Sequence, residues 1–219
     1  MCLIKIRNLS LKYEEYLFKN LNLDINPRDR IVIIGPSGSG KSSLLKAILR
    51  QIKYEGKISF KEGVKVSYMP QNLALLPHKT VQQNIELPLK IKKKIINISP
   101  KLYQKFGLEK HLNKYPKQLS GGQAQRVSLM RAIVDNCEVL CIDEPLSKLD
   151  QITKIEMIDF FKENFQTNSA VLYITHDLME AQKISTKIIV INKKITIINN
   201  EKKTMKMDTL LMNLIKNSN

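Results

Sequence analysis

Two groups of residues in this chain have the types and spacing that phosphate chemistry needs. The first is Gly35-Pro36-Ser37-Gly38-Ser39-Gly40-Lys41-Ser42. Gly35, Gly38 and Gly40 let the backbone curl so that several N–H groups point at one place with no side chain in the way. A triphosphate crowds negative charge and needs donors from several directions. Lys41 extends a cation toward β- and γ-phosphates, and the Ser42 hydroxyl can ligate Mg²⁺. The second group is Asp143-Glu144. Asp143 can hold Mg²⁺ directly or through water, and Glu144 can polarise an attacking water as a general base. Gln71 offers an amide that both accepts and donates, suited to Mg²⁺ or water. His176 can hydrogen-bond a γ-phosphate or orient the water.

Each of these residues sits where a predicted element would carry it to a common edge. The apolar run Ile31-Val32-Ile33-Ile34 enters the glycine-rich loop, and a helical pattern over 43–49 leaves it. Strand, loop and helix together give G-x-x-x-x-G-K-S the context that the P-loop pattern requires. The helix start, including Ser43, adds free N–H groups and a positive dipole end. Val139-Leu140-Cys141-Ile142 reads as a buried parallel strand ending at the acid pair, and Ala170–Ile174 as another ending at Thr175-His176-Asp177. A third, 64–69, ends at Pro70-Gln71. Open α/β sheets place ligands at the C-terminal ends of such strands. Leu119-Ser120-Gly121-Gly122-Gln123 precedes good helix formers. Serine is a natural N-cap, so this is a second anion-receptive helix start.

The remaining pattern is that of one α/β domain. Strands are predicted at 2–7, 21–25 and 57–60, a helix over 152–165, a hairpin from 188–191 and 195–198, and an amphipathic helix over 203–216. Residues 72–118 carry Pro77, Pro88, Pro100 and Pro116 between helical patterns at 81–87 and 100–106, and read as a helical insertion. Within it, Lys90-Ile91-Lys92-Lys93-Lys94 is expected to be a solvated helix face or connection. Tyr13, Tyr16 and Phe18 precede the glycine-rich loop, and an aromatic there can stack on a base or cover a sheet edge.

Bulk properties narrow the class. The chain has 219 residues, 43% of them hydrophobic, with no apolar stretch near the roughly 18 residues of a membrane span. The start lacks the apolar core of a signal peptide, so an intracellular protein that does not itself cross a membrane is expected. Three cysteines, Cys2, Cys137 and Cys141, have no paired spacing, and Cys137 and Cys141, in or beside an apolar strand, read as buried structural thiols. The net charge of +16 comes mostly from lysine and fits a solvated or membrane-adjacent surface. No stripe of basic and aromatic residues stands out, so no nucleic-acid partner is expected.

With these motifs in order, the chain resembles the ATP-binding-cassette (ABC) ATPases over almost its whole length. Gly35–Ser42 matches the family's Walker A loop, Gln71 its Q-loop, and Leu119–Gln123 its signature. Val139–Glu144 matches Walker B with the catalytic glutamate, Ser147–Asp150 the D-loop, and His176 the switch histidine. Lys148 departs from the small residue usual in the D-loop.

The resemblance implies a P-loop NTPase core over residues 1–219, RecA-like, with an antiparallel β subdomain and a helical subdomain at about 72–136. It implies ATP and Mg²⁺ as ligands. ATP would be held by Tyr13 (Tyr16 as the fallback), Gly35, Pro36, Ser37, Gly38, Ser39, Gly40, Lys41, Ser42 and Ser43. Ser120, Gly121, Gly122, Gln123 and Asp150 of a second, identical cassette would close over it. Ser42, Gln71 and Asp143 would serve the metal, and Glu144, His176 and Gln71 the hydrolysis. The implied partners are that second cassette, a separate transmembrane permease and a solute-binding protein, with the chain on the cytoplasmic face of the membrane. Import is favoured. A membrane cassette that remodels the envelope without passing a solute, and a soluble ABC ATPase, are the other readings.

Overall fold

The computed structural model describes residues 2–164, 169–192, 194–200 and 213. The predicted tail helix over 203–216 lies outside the described residues except at Asn213, and the predicted end of the 152–165 helix, Phe165, lies outside them too.

The described strands form two sheets. β1 (Ile4–Lys12), β2 (Tyr16–Ile25) and β4 (Glu55–Phe60) make a three-stranded antiparallel sheet in the order β2-β1-β4. β3 (Arg30–Ile34), β5 (Val66–Met69), β6 (Val139–Asp143), β7 (Ala170–Ile174), β8 (Lys187–Asn192) and β9 (Lys194–Asn199) make the second, ordered β5-β6-β7-β3-β8-β9. Its first five strands are parallel and β9 closes it as an antiparallel hairpin. The first two strands are longer than the sequence pattern suggests: their outer ends pair with each other across register shifts, Leu11 opposite Phe18, and bury Leu9, Leu11 and Phe18 in the core.

The uninterrupted apolar character of the central strands follows from burial on both faces. Successive side chains alternate between the two layers. Ile31 and Ile33 of β3, Val139 and Cys141 of β6, and Leu172 and Ile174 of β7 join the core shared with the antiparallel sheet and α1 (Lys41–Ile48). Val32, Ile34, Leu140, Ile142, Val171 and Tyr173 face the opposite core. That core is covered by α2 (Val81–Ile91), α3 (Pro100–Lys105), α4 (Gly121–Ile133), α5 (Gln151–Asn164) and α6 (Leu178–Ile184).

Between β5 and β6 the described chain contains only helices and turns. Thr80 and Gln83 form a capping box that starts α2, and buried Asn84 ties down the preceding turn through Leu76, Lys79 and Thr80. The lysine run is exposed at the end of α2 and in the connection after it, as the sequence suggests, but part of it is paired. Lys90 pairs with Glu86, while the exposed Lys92 and Lys94 reach the buried carboxylate of Asp135, which is 2% exposed. An uncompensated buried carboxylate is costly, and that cost decides where these two lysines point.

Candidate active site

Parallel pairing places the C-terminal ends of β3, β5, β6 and β7 along one edge. Asp143 lies opposite Ile174, and Ile33 opposite Ile174 from the other side. The glycine-rich loop, Gln71, the acid pair and His176 therefore emerge side by side, although they span residues 35–176 in sequence.

The loop opens into a cleft of about 370 Å³ lined by Tyr13, Ser37, Gly38, Lys41, Ser43 and Glu144, among others. Gly40 caps α1 in the left-handed region, φ 96°, and no side chain caps that helix start. Its first N–H groups are thereby left for a ligand. A side chain at Gly40 would also collide with Leu17 of β2, 2.9 Å from the position of its Cβ. Lys41 donates from Nζ to the carbonyls of Gly35 and Pro36 at 2.9 and 2.8 Å. Burial lowers its pKa, and Glu144 and Asp143 act in the opposite direction. Ser39 Oγ is buried without a hydrogen-bond partner. An orphan hydroxyl beside a free helix start and a lysine fits an anion.

A second cleft of about 340 Å³ adjoins the first and is lined by Ser42, Lys46, Tyr68, Gln71 and Asp143, among others. Ser42 and Gln71 line both clefts. Asp143 is 3% exposed and hydrogen-bonded to the Ser42 side chain. Burial pushes its carboxyl above the usual carboxylate range and Glu144 adds to this; Ser42, Lys41 and Lys46 oppose it. A buried carboxylate beside a hydroxyl, with an amide at hand, fits a hard divalent cation that takes oxygen ligands. Among the described residues there is no cluster of three or more His, Cys, Asp or Glu side chains able to hold a metal. Such a cation would thus depend on this mixed set and on phosphate oxygens.

Glu144 stands between the two polar residues singled out in the sequence. Gln71 Nε2 donates to its Oε2 at 3.1 Å, and His176 Nδ1 lies 3.5 Å from its Oε1. Its backbone is left-handed at φ 50°. For a non-glycine residue that costs on the order of 1 kcal/mol and persists only where neighbours hold it. Tyr13 is 65% exposed over the first cleft, with its hydroxyl 3.3 Å from Ser43 Oγ. Tyr16 is occupied elsewhere. Its hydroxyl donates to Glu55 and Lys19 lies over its ring.

The residues 120–123 line neither cleft. Ser120 caps α4, accepting from Gln123 N at 3.2 Å, while the Gln123 side chain returns to Ser120 N and reaches His111 Nε2. Asp150 also lies away from both clefts. Its carboxylate accepts from Thr153 N and Thr153 Oγ1 at the start of α5, which holds it below the usual carboxylate range.

A family model described as ABC transporter matches residues 18–147, more than half of the chain. The chain belongs to the ABC transporter family. As an ABC ATP-binding subunit it binds ATP and is an ATPase. It is 35% identical over 197 residues to an uncharacterized ABC transporter ATP-binding protein of Haemophilus influenzae, covering 86% of this chain and 82% of that one. It is 35% identical to the spermidine/putrescine import ATP-binding protein PotA of Thermotoga maritima, but spans 56% of that protein. Others are named as import ATP-binding proteins for Fe(3+) ions and for molybdate/tungstate. Among solved structures, the dimeric bacterial ABC transporter cassette MJ0796 superposes with a TM-score of 0.78 at 29% identity, covering 91% of this chain and all of that one. The same cassette is also known as a dimer in a post-hydrolysis state bound to ADP and Pi.

Two supports of this ABC site were not singled out as such in the sequence. Glu180 is buried and accepts from Tyr173 and Thr175, both at 2.8 Å, with Lys154 Nζ at 3.3 Å. It anchors the strand end that carries His176. Gln125, also buried, donates to the backbone carbonyl of Glu144 at 2.7 Å. The only sequence signal for either is a polar residue on a face that otherwise faces the core.

Proposed function

We propose that this ABC ATPase drives solute transport, with import favoured, by hydrolysing ATP between two copies of itself docked on a separate transmembrane permease. The observation that carries the reading is the split between two anion-receptive sites. The glycine-rich loop, Ser42–Asp143 and Glu144 share one sheet edge, whereas the Ser120–Gln123 helix start lines neither cleft there. Head-to-tail pairing supplies each loop with the other copy's Ser120–Gln123 and Asp150. The Ser120 hydroxyl accepts from Gln123 N, which leaves its proton free to donate outward.

In this reading Tyr13 stacks on the base. Gly35 through Ser43 bind the phosphates, and Lys41 exchanges its two carbonyl partners for phosphate oxygens. Ser42, Asp143 and Gln71 would hold Mg²⁺, which would supply charge neutralisation at the phosphates. Glu144 takes the proton of the attacking water, oriented by Gln71 and His176. Loss of the shared phosphate removes a contact between the two copies and favours opening, a shift driven by differential binding. The helical segment at 72–136 carries the Ser120–Gln123 motif and, with the Gln71 loop, meets the permease.

No helix among the described residues is long and apolar enough to cross a membrane. In the proposed arrangement the permease is a separate chain and this subunit docks on the membrane's cytoplasmic face. Relatives named as import ATP-binding proteins support import and, with it, a solute-binding protein.

Two experiments test the reading. Glu144→Gln should reduce ATP turnover by at least two orders of magnitude while nucleotide still binds; intact turnover overturns the assignment. Affinity purification from native membranes should recover a multi-span protein. Recovery of only ribosomal or repair factors would remove the transport role and leave the ATPase.

A further inference from the structure

We propose that Gln125 is a positioning residue for hydrolysis: it holds Glu144 in its left-handed conformation and ties the aim of that carboxylate to the helix beginning at Ser120. The inference rests on the role proposed above for Glu144.

The backbone of Glu144 is clamped from both sides. Its N–H donates to Ile174 O at 3.0 Å, which fixes it to the end of β7. Its carbonyl accepts from Gln125 Nε2 at 2.7 Å and from Ser147 Oγ at 3.1 Å. A left-handed conformation at a residue with a side chain relaxes unless such contacts resist it. With its N–H fixed to β7, a change of φ at Glu144 would move the carbonyl and the side chain together and swing the carboxylate away from Gln71 and His176. Ser147 is exposed on a loop, while Gln125 is 1% exposed on the second turn of α4. The better-fixed partner of the carbonyl is therefore Gln125.

Gln125 uses its amide fully. Nε2 donates to Glu144 O and to Ser147 Oγ at 3.1 Å, and Oε1 accepts from Lys148 N at 2.9 Å. One side chain thus grips three consecutive features of the turn after β6. The grip is reinforced at Gly122, where an added Cβ would lie 3.1 Å from Lys148 O and 3.1 Å from Leu149 Cδ2. α4 and the turn approach too closely to slide independently. A displacement of α4 when its N-terminus meets an anion is consequently passed to the Glu144 carbonyl through Gln125.

The test compares the wild-type chain with Gln125→Met and Gln125→Glu, using steady-state ATPase assays with Mg²⁺ and titration with a fluorescent ATP analogue. Gln125→Met fills the space without donors. It should lower kcat at least tenfold while the nucleotide Kd stays within twofold. Gln125→Glu preserves shape but sets an oxygen against the Glu144 carbonyl when ionised. It should be as impaired at pH 8 and recover several-fold relative to wild type by pH 6, where the introduced, buried carboxyl regains a proton to donate. A kcat within twofold of wild type in both variants overturns the inference. So does a matched loss of kcat and affinity without recovery at pH 6. If Gln125→Met does not fold, the pH profile of Gln125→Glu decides alone. Wild-type activity that survives Glu144→Gln would instead defeat the role of Glu144 itself.

Discussion

Single residues at the sheet edge are set against their own solvation, and that opposition makes them testable. Burial raises the Asp143 carboxyl, as does Glu144, against Ser42, Lys41 and Lys46. A raised folded-state pKa means that the ionised form costs stability above that pKa, and that the cost fades as pH falls through it. Asp143→Asn should therefore raise Tm by a few degrees at pH 7 without nucleotide, with the gap to wild type closing in acid, while Mg²⁺-dependent hydrolysis is lost. Calorimetry across pH checks the first part; a lower Tm at pH 7 would contradict it. The two tyrosines give a second contrast. Tyr13 overhangs the cleft and Tyr16 is engaged with Glu55. Stacking on a base is worth about 1–3 kcal/mol, so Tyr13→Ala should weaken ATP binding by roughly tenfold or more. Tyr16→Ala should leave it unchanged in the same fluorescence titration.

At the scale of elements, the exit of α2 is held by charge rather than by apolar packing. Burial would raise the Asp135 carboxyl, but hydrogen bonds from Lys92 and Lys94 outweigh it and hold the group below the usual range. The sign follows: this stabilisation is complete above the unfolded-state pKa and is lost as pH falls through the lowered one. Asp135→Ala should cost about 1–3 kcal/mol in urea unfolding at neutral pH. The deficit should shrink at strongly acidic pH. The same variant should leave ATP affinity within twofold, because Asp135 lies at the end of α4 remote from its Ser120 start. Parity of stability between variant and wild type at pH 7 would mean that the clamp is ornamental.

In the proposed head-to-tail arrangement the whole molecule presents half of a two-part site, and its behaviour should depend on nucleotide. In the Glu144→Gln background, where turnover is slowed, the chain of 25.2 kDa should sediment at that mass without nucleotide and at twice that mass with ATP. Ser120→Ala should weaken the association, since it removes both a helix cap and an outward donor. A single species at the monomer mass at all ATP concentrations would refute the head-to-tail arrangement.

Much of this was legible in the sequence for one physical reason. Chemistry on phosphates needs particular residue types at short spacing, and Gly35–Ser42, Asp143-Glu144 and Leu119–Gln123 each lie within a few consecutive residues. Buried strands such as Val139–Ile142 and Ala170–Ile174 declare themselves by continuous apolar character, because both of their faces are covered. What the sequence did not determine was which distant side chains meet. The strand order β5-β6-β7-β3 sets Gln71 and His176 on either side of Glu144. The pairing of β1 with β2 turns Tyr13 to the cleft and leaves Tyr16 with Glu55. The pairing of Lys92 and Lys94 with Asp135 and the grip of Gln125 on Glu144 depend on buried groups that must find partners. Such partners are 41 to 43 residues away in the first case and 19 in the second. Local pattern marks which residues are candidates for the chemistry, whereas long-range pairing and the cost of unsatisfied buried polar groups fix where they point.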